Sequence, residues 1–541
     1  MRWTSLIGTG LSTMLTGRAR RLSDARWWGA NSGAVQRREL RRLLHTAAGT
    51  ETGRRHGFAK LASTTDDTEL LRGYRAAIPL ADYEAWRPQM VRMREGAEPD
   101  VTWPGVVRDW AQTSGTTGGQ KYIPVSAAMM KSNRKAAMDI FAHAMRMGCP
   151  LSRLLGGKLL FLGGSTALET SDKGVRTGDL SGLVAPLIRW PLSEVYLPGS
   201  EIALMDHWPS KIERIARLCV EQDVRMVSGM VSWSLVLFQR VLELARERDA
   251  RLGCLRDVWP AFDLFVHGGV RYGPFDPQIR EVWSGAQMAD LPRRLEVYPA
   301  SEGFIAMQDT RGEPGLRLST DVGIFFEFVP VEEIDRPDAR AFACDEVERG
   351  QRYVVVMSTC AGLWRYIIGD VVEFDTIPPE GPARLRIVGR HRHFVNAFGE
   401  NLIVEEIENA VMAARDRLGV RIGEFTAAPV YPGEGRRAAL ELALEWVGDE
   451  SRIGAFGAAF DEALRSANVD YHTKRTGDMG MGPPVVSPVA PGSFHRWMES
   501  RGKLGGQNKT PRCANHREYI EGLTRLAAHE AQRDATVGAG A

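Results

Sequence analysis

Hydrophobic and polar positions along the first 60 residues alternate with a helical period. In "QRRELRRLLHTA", Leu40, Leu43 and Leu44 fall on one side of a helix and the arginines on the other, which predicts a solvated basic face over a buried stripe. Further on the period changes repeatedly. "KLLFLGG" (158–164) is a short apolar run that ends in glycines, and "SKIERIARLCVEQ" (210–222) is amphipathic at helical spacing. "VRMVSG" (224–229) reads as a strand and "SLVLFQRVLELARER" (234–248) as a strong helix. "FDLFVHGG" (262–269) and "RLEVYPASEG" (294–303) are further buried-type strands that stop at turns. Strands alternating with helices predict right-handed crossovers and a mainly parallel sheet covered on both faces.

From about 316 to 390 the helices give way. "LRLSTDVGIFFEFVPV", "QRYVVVMST", "GLWRYIIGDVVEF" and "ARLRIVGR" are strands separated by turns, which predicts an antiparallel or barrel-like section. "GRHRH" (389–393) then leads into "NLIVEEIENAVMAA", where Ile403, Ile407 and Val411 recur at helical spacing. Two strands follow, "EFTAAPVY" and "RAALELALEWV", and then a helix that buries Ile453, Phe456, Phe460 and Leu464. The expected fold class is therefore α/β. Residues 1–388 form a large N-terminal domain, and residues 389–541 form a small α+β C-terminal domain across a hinge near Gly389. The Gly- and Pro-rich run from 472 to 492 predicts a surface loop.

Composition alters this picture little. At 541 residues the chain exceeds one compact core, and 44% hydrophobic with 25% charged residues is ordinary for a globular protein. A net charge of +2 speaks against a dedicated nucleic-acid binder, although residues 1–60 hold twelve Arg or Lys against three Asp or Glu. Six scattered cysteines without a Cys-x-x-Cys pair suit reduced thiols better than disulfides or zinc. No apolar run approaches 18 residues, and the start of the chain makes a poor signal peptide, so the expectation is a cytoplasmic protein with no stable membrane association. No Gly-x-Ser-x-Gly elbow and no His-Glu-x-x-His spacing occurs, which argues against a hydrolase or a zinc protease.

The chemistry concentrates in four stretches: "TSGTTGGQK" (113–121), "YPASEG" from 298, "WRYIIGD" from 364 and "GRHRHFVNAFGENL" from 389. The first combines glycines, which let backbone approach a ligand, with hydroxyl donors and a lysine, a set suited to polyphosphate. It lacks the Walker arrangement that would seat a P-loop magnesium. Singly, each stretch is as well explained by a turn or a strand end.

In this order and spacing the four resemble the adenylate-forming superfamily of acyl- and aryl-CoA synthetases, nonribosomal adenylation domains and luciferases. "YRAAIPLADYEAWRP", "TSGTTGGQKYIPVS" and the late "GGQNKTPRC" make the chain most similar to the auxin-responsive acyl-acid–amido synthetases, from about residue 35 to 525. The resemblance implies ATP and Mg2+ as cofactors, and a carboxylic acid and an amino acid as substrates. It places Thr113, Ser114, Gly115, Thr116, Thr117 and Gly118 on the phosphate loop with Lys121 as its lysine. Glu302, after Tyr298 and Ser301, falls on the glutamate that sets magnesium against the α-phosphate. Asp370 falls on the acceptor of the ribose hydroxyls, with Arg390 beside it. Lys509 falls on the late lysine that reaches the reacting carboxylate, carried by a mobile domain.

His391 to His393 sit at the hinge. The plant enzymes carry Lys-Thr-Asp-Glu where this chain has Phe398-Gly399-Glu400-Asn401, which leaves the role of Glu400 open. Trp233 is placed where related enzymes line the acyl pocket. His267-Gly268-Gly269 either borders the adenine or simply ends a strand. Two other readings stay open: an acyl- or aryl-CoA ligase, and a non-catalytic nucleotide-binding relative.

Overall fold

A computed structural model describes residues 4–527, except 115–119, 164–167, 185–189, 191, 206–207, 270–271, 314, 392–393, 396–401, 431–437, 469–470, 473–474, 476–480, 503–509 and 515; the side chains of 113, 114 and 120 are also outside the description. The chain divides into two compact units. The main parts of the first are Met1–Ile368 and Val372–Arg386, and those of the second are Gly369–Val371 and Ile387–Leu504.

In the first unit the N-terminus is helical as the period predicts, with long helices over Thr4–Ser23 and Ala25–Ala47. Asp24 caps the second by accepting from Trp27 N–H at 2.9 Å, and Leu40, Leu43 and Leu44 are fully buried. A small sheet has the order β2-β1-β5-β4, from β1 (Asp109–Ser114), β2 (Gln120–Val125), β4 (Glu169–Thr170) and β5 (Arg176–Gly178).

The main sheet has eleven strands. Its parallel part comprises β3 (Lys158–Leu162), β6 (Tyr196–Leu197), β7 (Val224–Met230), β8 (Leu264–Gly268) and β9 (Arg294–Ala300). The remainder is β10 (Gly303–Met307), β11 (Leu316–Leu318), β12 (Ile324–Pro330), β13 (Arg352–Thr359), β14 (Tyr366–Thr376) and β15 (Arg384–Arg390). The order β12-β13-β14-β15-β11-β10-β9-β8-β7-β3-β6 makes the section after residue 316 continuous with the parallel strands. β12 is buried at all seven positions, the mark of a strand covered on both faces.

In the second unit β16 (Phe394–Val395) pairs with β17 (Leu402–Ile403), just before the helix Val404–Leu418. β18 (Arg421–Val430), β19 (Ala439–Val447) and β20 (Val485–Val489) form a sheet in that order. Helix Ile453–Ala467 buries Phe456, Phe460 and Leu464 against it, while Ile453 is only partly covered. The loop expected over 472–492 is corrected in part, because β20 lies within it and pairs parallel to β19. Pro488 is tolerated there because β20 is an edge strand, where a missing N–H costs no ladder bond.

Candidate active site

Two parallel strands, β7 and β8, end at one row, and the neighbouring β9 runs three residues past it. Met230 of β7 pairs with Gly268 of β8, and Gly268 pairs with Val297 of β9. Beyond that row the chain turns into the helix Val231–Arg248, whose first turn holds the partly buried Trp233, and into the segment from Tyr298 to Glu302. The sheet thus brings Trp233, Gly268, Tyr298, Ser301 and Glu302 to the C-terminal ends of neighbouring strands, where open α/β sheets bind ligands.

A Cβ on Gly268 would lie 2.2 Å from the carbonyl oxygen of Val297, so only glycine lets β8 and β9 pair at this point. Its neighbour His267 is 3% exposed and packs among Phe265 and Tyr272, with ring centroids 5.2 and 4.9 Å away. Burial, helped by the charge of Arg294, pushes the imidazole down to about 3, and it is neutral at pH 7. Both facts favour the strand-end reading of this trio.

Tyr298 and Ser301 are buried, and among the described residues Ser301 Oγ has no hydrogen-bond partner, a buried hydroxyl such as a polar ligand would satisfy. Glu302 follows in the turn between β9 and β10. Gly303 has φ 148° and its Cβ would meet Ile324 Cδ1 at 2.4 Å, so the turn that aims Glu302 requires glycine there. Glu302 is 8% exposed, and Tyr366 Oη donates to its Oε1 at 3.1 Å.

This donor set fits magnesium. Among the described residues no three or more His, Cys, Asp or Glu cluster to hold a metal. Magnesium characteristically takes one or two carboxylates and completes its shell with water and substrate phosphates. One buried carboxylate beside a hydroxyl that has no hydrogen-bond partner among the described residues suits that mode, and Glu302 would hold the ion.

Arms β1 and β2 pair Thr113 with Lys121 and Ser114 with Gln120, closing the ends of the Ser/Thr/Gly stretch on each other. Lys121 Nζ stands 5.8 Å from the ring centroid of Tyr83, whose hydroxyl accepts from Tyr122 N–H at 2.8 Å. Gly115, Thr116, Thr117 and Gly118 lie outside the described residues, as do Glu400 and Lys509.

In the second unit Arg390 Nε pairs with Asp370 Oδ1 at 2.6 Å. Asp370 is 6% exposed, and His391 N–H donates to Gly369 O at 3.0 Å, which joins the Gly-Asp pair to the residues after Arg390. The two polar residues that the sequence placed side by side are in contact.

Sequence reasoning missed two residues of "WRYIIGD". Arg365 has φ 42°, an uncommon conformation for a non-glycine residue, and is 4% exposed. It donates to Glu327 at 2.9 Å and to the carbonyls of Ile78 and Arg75, which ties β14 to the strap after helix Asp67–Ala77. Tyr366 was passed over because a tyrosine in an apolar strand reads as core. Its place next to the Gly-Asp motif was the available signal.

The mixed α/β architecture is that of the adenylate-forming enzymes. It is similar to GH3.15 acyl acid amido synthetase in complex with 2,4-DB, at TM-score 0.75 and 18% identity over 94% of this chain and 95% of that one. It is also similar to a 2-hydroxyisobutyryl-CoA ligase in the postadenylation state, at TM-score 0.51 and 15% identity over 91% of each chain. The chain matches the GH3 family N-terminal domain over residues 28–190, the central domain over 318–390 and the C-terminal domain over 405–518, and it belongs to the GH3 family. Among curated relatives, indole-3-acetic acid-amido synthetase GH3.8 of Oryza sativa subsp. indica is 23% identical, covering 91% of this chain and 90% of its own length. Probable indole-3-acetic acid-amido synthetase GH3.4 of Oryza sativa subsp. japonica is 25% identical over 91% and 87%. Among the described residues no helix is long and apolar enough to cross a membrane.

Proposed function

We propose that this protein is an ATP-dependent acyl-acid–amido synthetase. It adenylates a carboxylic acid, releasing pyrophosphate, and passes the acyl group to the amine of an amino acid, releasing AMP. The observation that carries this reading is the match to all three GH3 family domains, together with curated relatives named as amido synthetases, the first of which aligns over 91% of the chain.

A carboxylate is a poor electrophile, and conversion to a mixed anhydride with AMP gives it a good leaving group. In-line attack by the acid on the α-phosphate places growing charge on its oxygens and on the departing pyrophosphate. The loop from Thr113 to Gly118, with Lys121, holds the β- and γ-phosphates through backbone N–H groups, hydroxyls and one positive charge. Magnesium, when bound, supplies charge that offsets that of the α-phosphate oxygens. Glu302 is the carboxylate that would hold it. Tyr298 and Ser301 line the nucleotide beside Gly268. Asp370 accepts from both ribose hydroxyls, one acceptor side chain for two donors, with Arg390 orienting it. Lys509 stabilises the reacting carboxylate and α-phosphate, and Trp233 borders the acyl group.

The test is incubation with ATP, magnesium, a panel of aryl and fatty acids, and either mixed amino acids or coenzyme A. Acid-dependent exchange of pyrophosphate into ATP followed by amide formation is the expected result. Thioester without amide would replace the amido-synthetase reading with that of a CoA ligase, and no exchange with any acid would remove the enzymatic reading.

A further inference from the structure

The contact between Tyr366 and Glu302 has the geometry of a positioning bond. Tyr366 is 1% exposed on β14, and its hydroxyl is donated to a carboxylate oxygen, 3.1 Å away, that sits on the turn between β9 and β10. The two residues are 64 apart in sequence, so the bond forms only when the antiparallel and parallel parts of the main sheet are both in place. The arginine next to Tyr366 does not serve Glu302, because Arg365 is given to Glu327 through Nε and to two backbone carbonyls through Nη1. Gly303, at φ 148°, fixes the backbone immediately after the carboxylate. The hydroxyl of Tyr366 is then a group that orients the side chain of Glu302.

We propose that Tyr366 is a positioning residue for metal binding: its hydroxyl holds the Glu302 carboxylate in an orientation that a divalent cation on the nucleotide phosphates can use. This rests on the assignment of Glu302 given above. The physical reason is geometric: magnesium demands near-ideal octahedral coordination, so a carboxylate that swings costs affinity.

The experiment reads binding rather than turnover. Affinity for α,β-methylene-ATP is titrated by calorimetry at increasing Mg2+ for the parent and for Y366F, E302Q, the double variant and Y353F. Tyr353 is an equally buried tyrosine of the same sheet whose hydroxyl accepts from Glu348 N–H at 2.9 Å, and it controls for the loss of any buried hydroxyl. Expected is a Y366F protein that needs about tenfold more Mg2+ for half of the metal effect, as for loss of a hydrogen bond to a charged group. At saturating Mg2+ it should approach the parent's affinity. E302Q should lose the metal effect, adding Y366F to it should change nothing further, and Y353F should match the parent.

Parent-like Mg2+ dependence in Y366F, an equal shift in Y353F, a metal effect that survives E302Q, or no metal effect in the parent would each overturn the inference. Pyrophosphate exchange by the parent is measured separately. If exchange is absent while metal-coupled binding behaves as described, the reaction reading falls and the role of Tyr366 stands.

Discussion

Asp370 meets Arg390 at 2.6 Å while remaining largely out of solvent, so the carboxylate is ordered and already partnered on one oxygen. Replacing it by asparagine keeps the shape and removes the charge that two sugar hydroxyls would share. Hydrogen bonds to charged groups contribute about 1.5–3 kcal/mol each. D370N is therefore expected to lower ATP affinity at least tenfold with little change in melting temperature, and calorimetry giving the parent's affinity would count against the ribose role. Lys509 makes the complementary case. K509A should slow adenylation by about 100-fold or more, the size typical of one electrostatic group removed from a preorganised site. Its circular dichroism and melting curve should be those of the parent, and unchanged exchange rates would remove Lys509 from the reaction.

Strands β8 and β9 show how tightly an element can constrain one position. Because a Cβ at Gly268 would stand 2.2 Å from the Val297 carbonyl, G268A must either push the strands apart or break their pairing. A fall in stability of about 2–4 kcal/mol is expected from a backbone clash in a buried sheet. Its thermal melt should fall well below that of the parent, and an unchanged midpoint would show that β8 and β9 can separate locally. Legibility from sequence followed the same physics. Helix Ile453–Ala467 was readable because Phe456, Phe460 and Leu464 recur at one period and are all fully buried. The hairpin of β1 and β2 was not: Trp110, Ala111, Ile123 and Val125 are buried, but two six-residue strands separated by a Ser/Thr/Gly stretch give too short an alternation to read. β20 was hidden by its two-proline entry and by Pro488, whose lack of an N–H matters only in a central strand. Glu302, Asp370 and Arg390 stood out because their residue types come in an ordered set, and the structure pairs Asp370 with Arg390. Tyr366 did not, since nothing in one apolar strand reveals the turn it reaches.

The whole molecule should carry a pH signature from two histidines that the fold removes from water. His143 is 1% exposed, and burial, with the charge of Arg317 next, pushes it down to about 3; His267 is pushed to the same value. His143 lies in a cluster of charges in which Arg146 approaches its Nδ1 at 2.8 Å and Asp309 accepts from Arg384 at 2.9 Å. Both folded-state values are below the unfolded 6.5, so between about pH 6.5 and 3 the unfolded chain binds two protons that the folded chain refuses. Stability is then fully present above about pH 6.5 and is lost progressively as pH falls. At pH 5 the loss is about 2 kcal/mol for each histidine. Asp309, which the nearby arginines hold down to about 2 despite burial, loses its contribution only below about pH 4, outside this window. Glu445, raised by burial, runs with the opposite sign, so the parent's curve alone does not isolate the histidines. Replacing them does. H143Q and H267Q should each lower the melting temperature at pH 7.5 and each flatten its decline between pH 6.5 and 5. If both variants keep the parent's slope in that interval, the two imidazoles are not the groups that make the folded protein sensitive to mild acid.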